Sequence, residues 1–245
     1  MKVIGIDSSG LVASVAIVED SKLVAEYTVN NKKTHSQTLL PMLEEIVKMS
    51  GLDLQETDAI AIAAGPGSFT GLRIGSATAK GLGLALKKPI VPVSTVDALA
   101  YNLYGTDCLV CPIMDARRNQ VYTGIYGFEA QDGEGADLCK PYKMQVLREA
   151  CAVPIEEITA QLNEMGKKVI FLGDGVPVFA EQLKDLMKVP YSYAPAHLAM
   201  QRAGCVAVLG MEYFKAGNFE DAADHSPEYL RLSQAERERK EAGLL

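Results

Sequence analysis

The chain is poor in the residues that carry most catalytic chemistry. Its three histidines stand apart, with no His-x-x-x-His or His-Glu-x-x-His pair, so metal catalysis has no ligand set and no metal is expected. No Gly-x-Ser-x-Gly elbow occurs, and Gly65-Pro66-Gly67-Ser68-Phe69 misplaces its serine for one. The five cysteines are scattered and odd in number, which makes no disulfide framework and suits a reducing compartment. Cys108 and Cys111 have zinc-like spacing, but no second pair matches them and they lie in a strand pattern, so they read as buried thiols. No apolar run reaches the roughly 20 residues of a membrane span. The start reaches the carboxylate of Asp7 before any signal-peptide apolar core forms, so the expected location is cytoplasmic. Basic residues are the minority: 24 against 31 acidic, a net charge of −7. Such a chain has no general affinity for nucleic acid or an anionic membrane.

The most informative stretch that is present runs from Gly65 to Gly75, Gly-Pro-Gly-Ser-Phe-Thr-Gly-Leu-Arg-Ile-Gly. The apolar run Ala59 to Ala64 before it is short enough for one buried strand. A helical pattern follows, to about Lys87. Gly65 and Gly67 can take positive φ, and Ser68 or Thr70 can cap the helix. Two readings of the turn stand side by side. Its N–H groups can cradle an anion, or its glycines let the helix pack close. No Gly-Lys-Ser/Thr triplet ends it, so it is not a Walker A loop, and Thr70 stands where a dinucleotide fingerprint has its third glycine.

On the helix, Arg73, Lys80 and Lys87 make one polar stripe, and Gly71, Gly75, Ala79 and Gly83 make a small-residue edge. Each interior Gly costs about 1 kcal/mol relative to Ala, and close helix packing is the natural compensation. The edge is expected to face a partner helix, with Leu82 and Leu86 beside it and Leu39, Leu43 and Ile46 of the helix Gln37–Met49 contributing. The competing reading is that the edge packs on its own sheet.

With 245 residues the chain allows one large domain or two small ones. Strands are expected at Val3–Asp7, Val12–Val18 and Leu23–Val29, then the helix over 37–49, the strand 59–64, the helix to about 87, the strand Ile90–Val93 and a helix Thr95–Tyr104. Strands at 109–114, 120–128 and 142–147, a helix at 155–164, a strand at 169–172 and a helix at 177–187 repeat the order. A long helix over 198–216 and a charged helical tail over 234–241 complete it. The fold class is therefore α/β, a duplicated βββαβα unit with mixed sheets. One unit spans 1–104 and the other 105–217.

Duplicated units of this kind resemble the two-lobed actin, Hsp70 and sugar-kinase superfamily, whose members bind ATP between lobes. Asp7 and Ser8 fit its first phosphate hairpin, although Asp7 also suits a plain turn. The second hairpin is Asp115-Ala116-Arg117-Arg118-Asn119-Gln120. It lacks glycine, so the grip formed by Asp7, Ser8, Gly65, Gly67, Ser68, Asp115, Arg117 and Arg118 reads as a degraded nucleotide or anion site. Gly173-Asp174-Gly175 resembles an adenosine-side loop. The layout of these relatives implies that about 218–245 returns to the first lobe.

The Gly65–Gly75 motif, with Asp115-Ala116-Arg117-Arg118-Asn119-Gln120-Val121-Tyr122 and Pro227-Glu228-Tyr229-Leu230-Arg231, resembles the bacterial TsaB (YeaZ) family nearly end to end. That resemblance implies a non-catalytic relative of TsaD, working in tRNA modification. TsaD carries a metal-binding His-x-x-x-His where this chain has Thr95 and Leu99. The implied partners are TsaD and the ATPase TsaE, with self-pairing when alone and no tRNA binding by the chain itself. No cofactor is expected on the isolated chain, while the complex uses ATP. The alternative is a free-standing ATP-dependent small-molecule kinase of the same superfamily. A peptidase has no nucleophile–base pair to support it.

Overall fold

A computed structural model describes residues 1–31, 34–131 and 140–231. The expected tail helix over 234–241 and most of the polar loop over 131–135 lie outside them.

The first sheet holds β1 (Lys2–Asp7), β2 (Ala13–Glu19), β3 (Lys22–Val29), β4 (Ala59–Gly65) and β5 (Ile90–Ser94), ordered β3-β2-β1-β4-β5. β1 to β3 form an antiparallel meander, and β1, β4 and β5 run parallel. β1 and β4 are buried throughout, as their unbroken apolar runs require. One face is covered by α1 (Leu39–Ser50) and α2 (Phe69–Leu86). Pro41 occupies the first turn of α1, where its missing N–H costs nothing.

The second sheet repeats the topology. β6 (Leu109–Asp115), β7 (Gln120–Ala130), β8 (Tyr142–Pro154), β9 (Val169–Leu172) and β10 (Tyr191–Tyr193) are ordered β8-β7-β6-β9-β10. Counted from each lobe's own first strand, both sheets read 3-2-1-4-5. One face is covered by α4 (Ile155–Met165) and α5 (Val176–Leu186). Between the lobes lies α3 (Thr95–Ala100), capped by Ser94 and followed by a short 3-10 turn. Its Val96 and Leu99 pack on Val110, Met114, Tyr126 and Leu172 of the second lobe. Asp97 accepts from Ser94, Tyr126 and Tyr213, which ties α3 to both lobes.

Three expectations need correction. Helix α6 (Ala203–Lys215) belongs to the first lobe, although the second unit is expected to run to 217. Its Val206, Ala207 and Met211 bury against Val3, Ala61 and Val93, so the return begins well before 218. The same helix starts at Ala203 and not near Leu198. Strand β8 runs past Leu147 to Pro154, because register shifts on either side of the Ile125–Arg148 pair absorb the extra residues without ending the pairing with β7. β10 is an additional short parallel edge.

Candidate functional site

The glycine turn after β4 meets the first hairpin of the same lobe. Ser68 Oγ accepts from the Gly71 N–H at 3.3 Å and caps α2. The Ser68 N–H donates to the Ser9 carbonyl at 2.6 Å, and Ser8 Oγ donates to the Gly71 carbonyl at 2.9 Å. A Cβ on Gly67 would strike the Ser9 carbonyl, and one on Gly71 the Ser8 carbonyl. Gly65 has φ +143° and lies against the Glu228 carbonyl. Close packing is what these glycines achieve. Carbonyls of the chain itself sit where an anion would meet the helix N-terminus.

Below the turn lies a buried polar cluster. Asp7 is 1% exposed and accepts from the Ser9 N–H at 2.9 Å and Ser9 Oγ at 2.6 Å. Burial pushes its carboxyl up to about 6, Ser9 and His35 act against that shift, and Asp174 adds to it. Burial also raises Asp174 to about 6; the Asp115 backbone N–H opposes that shift and the Asp115 charge adds to it. The His35 Nε2–H donates to the Gly10 carbonyl at 2.9 Å. His35 Nδ1, Asp174 Oδ1 and both amide atoms of Gln201 are buried without a hydrogen-bond partner. Sequence reasoning placed a turn at Asp7, but Gln201 carries no local signal that brings it to Gly10.

The second hairpin turns through three consecutive left-handed residues, Arg117, Arg118 and Asn119, with φ of +64°, +57° and +58°. The Arg117 N–H donates to Asp115 Oδ1 at 2.8 Å, and its guanidinium pairs with Asp115 Oδ2 at 3.0 Å. Asn119 donates to Glu156 and accepts from Gln182. Arg231 donates to the carbonyls of Ala116 and Arg117. The two hairpins and the glycine turn border a cleft of about 520 Å³, with Asp115, Asp174, Glu228, Arg117 and Arg231 among its lining. Both arginines are engaged within the chain, and carboxylates dominate. Among the described residues no group of three His, Cys, Asp or Glu side chains is placed to hold a metal ion. Thr95 and Leu99 are sealed in the core, 0% and 1% exposed.

The expected partner edge is placed differently. Ala79 is 0% exposed, and Gly71, Gly75 and Gly83 are buried too. Gly75 lies against Ser8 and Ile62, and Gly83 against Ala222 and Lys88. Leu39, Leu43 and Ile46 are core residues, with Leu82 and Leu86 packed beside them. The small-residue edge thus faces its own sheet and hairpin, because their close approach leaves no room for a Cβ. The exposed side of α2 is the neighbouring row, Ala77, Gly81, Leu84 and Ala85. A Cβ on Gly81 would meet nothing within 4 Å. Leu84 is 57% exposed and Leu40 of α1 is 52% exposed.

Two lobes of one topology, facing across a cleft that the first hairpin of each helps to line, define a protein of the actin-like two-lobed class. Residues 22–239 match the family model of TsaD, tRNA N6-adenosine threonylcarbamoyltransferase. The tRNA threonylcarbamoyladenosine biosynthesis protein TsaB of Bacillus subtilis (strain 168) is 32% identical over 242 residues, 96% of each chain. The protein of the same name from Escherichia coli (strain K12) is 35% identical over 128 residues, 51% of this chain and 55% of the relative. The solved structure of YeaZ from Pseudomonas aeruginosa matches with a TM-score of 0.75 at 25% identity, covering 94% of this chain and 99% of its own. The chain belongs to the TsaB (YeaZ) family.

Proposed function

We propose that the chain is a non-catalytic scaffold subunit in the formation of N6-threonylcarbamoyladenosine at position 37 of tRNAs reading ANN codons, where it supports the catalytic subunit TsaD. The observation that carries this reading is the burial of Thr95 and Leu99. At the positions where TsaD has its metal histidines, this chain has a hydroxyl and an aliphatic group inside the packed contact between lobes. Neither can reach a substrate.

The partner surface in this reading is the exposed row Ala77, Gly81, Leu84 and Ala85 with Leu40, where small residues let a second helix approach. The same row serves self-pairing when TsaD is absent. TsaE joins the assembly as its ATPase, and ATP acts there, not in the cleft of this chain. The protein works in the cytoplasm.

Reconstitution of the modification with and without this chain tests the reading. TsaD activity should depend on the chain, and the chain alone should transfer nothing to tRNA. Turnover by the pure chain, or full activity in its absence, overturns the scaffold role. Calorimetry with Mg-ATP on the isolated chain should give no binding heat. Tight binding there would favour the small-molecule kinase.

A further inference from the structure

The segment after α6 completes neither sheet, yet it is docked along its length. Glu220 and Ile90 exchange backbone hydrogen bonds of 2.9 and 3.0 Å. Lys80 Nζ donates to the carbonyls of Ala223 and His225 at 2.8 and 2.9 Å. The Glu228 N–H donates to the Ala64 carbonyl at 2.8 Å, beside the glycine turn. Tyr229 then packs on Phe69 with ring centroids 5.1 Å apart, and its hydroxyl accepts from Arg73 Nε at 3.2 Å. All of these contacts are to the first lobe. The next anchor is different. Arg231 reaches the second lobe and donates to the carbonyls of Ala116 and Arg117.

The turn that receives it is unusual. Three successive non-glycine residues in the left-handed region are disfavoured, and such a stretch persists only where surrounding contacts hold it. Asn119 is held from one side by Glu156 and Gln182. Arg231 holds the other side through Nη1, which donates to both carbonyls, and a guanidinium is less strongly hydrated there than an ammonium. The lobes are already joined through α3 and by the Lys140–Glu212 ion pair, and Arg231 adds a tie on the lining of the cleft.

We propose that residues 218–231 form an intramolecular clasp. The segment is fastened along α2 by Lys80 and Arg73, and Arg231 locks the second lobe's hairpin to it. The spacing of the lobes is thereby set by the chain's own residues and needs no ligand in the cleft.

Hydrogen exchange and small-angle scattering on the full chain test this with Arg231→Ala and Arg231→Lys. In the alanine variant the Ala116 and Gln120 amides should exchange about tenfold faster, the loss expected for one charge-assisted hydrogen bond. The radius of gyration should rise, and the lysine variant should fall between. The Ile90 and Glu220 amides should stay as protected as in the parent. Unchanged exchange at the hairpin overturns the proposal. So does faster exchange at the hairpin with unchanged scattering, which would mean a local grip without control of the lobes. Equal acceleration at Ile90 and Glu220 would also overturn it, since the effect would then be general loss of stability.

Discussion

Replacing Asp7 by asparagine should stabilise the protein at neutral pH and leave it nearly unchanged at pH 4. In the unfolded chain this carboxyl has the ordinary aspartate value of 3.8, and in the fold burial raises it to about 6. At pH 7 the ionised group therefore opposes folding by about 3 kcal/mol, at roughly 1.4 kcal/mol per tenfold change in proton affinity. Asparagine keeps an oxygen to accept from the Ser9 N–H and hydroxyl. Its buried amide N–H groups lack assured acceptors, which forfeits about 1 kcal/mol. The net gain is about 2 kcal/mol. Its sign with pH is fixed by the direction of the shift. Between pH 4 and 6 the folded form holds a proton that the unfolded form has released. The contribution of Asp7 therefore falls as pH rises through that window and is constant above it. Asp174 acts in the same direction, so the single variant removes one of two descending contributions. Urea unfolding from pH 4 to 8, with parent and variant compared at each pH, isolates the term. A difference between the two curves that does not grow from pH 4 to 6 would refute the reasoning.

The helix α2 supplies a paired test: Ala79→Leu should lower the melting temperature, since overpacking a sealed site costs about 1–3 kcal/mol, whereas Gly81→Leu should leave it unchanged or raised and abolish TsaD capture in a pull-down. Arg118→Gly should raise stability by about 0.5–1 kcal/mol in denaturant unfolding, because relief of a left-handed side chain exceeds the entropy that glycine adds. Thr95→Val should raise stability by about 1 kcal/mol by removing a buried hydroxyl without a partner, and a loss of stability would reveal a hidden one. Filter binding at physiological salt should detect no tight, salt-sensitive tRNA complex with the chain alone, as acids outnumber bases.

Periodicity made the duplicated order of strands and helices legible, since runs such as Val3–Asp7 and Ala59–Ala64 are short, apolar and bounded by turn residues. What it could not give was the direction of a helical face. Gly71, Gly75, Ala79 and Gly83 signal close approach, but a sheet and a partner helix demand the same small residues. Only the placement of Ser8, Ile62 and Ala222 against them decides. The polar character of the basic stripe is legible in the sequence, yet the use of Lys80 and Arg73 depends on residues about 150 positions later. Gln201 reaches Gly10 by the same kind of long-range closure. The far end of strand β8 is not legible, because bulges break the alternation that marks a strand.

The placement of α6 also bears on the order in which the protein can be made. Residues 109–193 supply every strand of the second sheet and both of its covering helices, so that lobe is continuous and can close as soon as it leaves the ribosome. The lobe that begins at Met1 cannot. One face of its sheet, with Val3, Ala61 and Val93, stays bare until Ala203–Lys215 has been synthesised. The half that starts first thus finishes last, and for most of synthesis its greasy back face is the surface that a nascent-chain chaperone would have to shield.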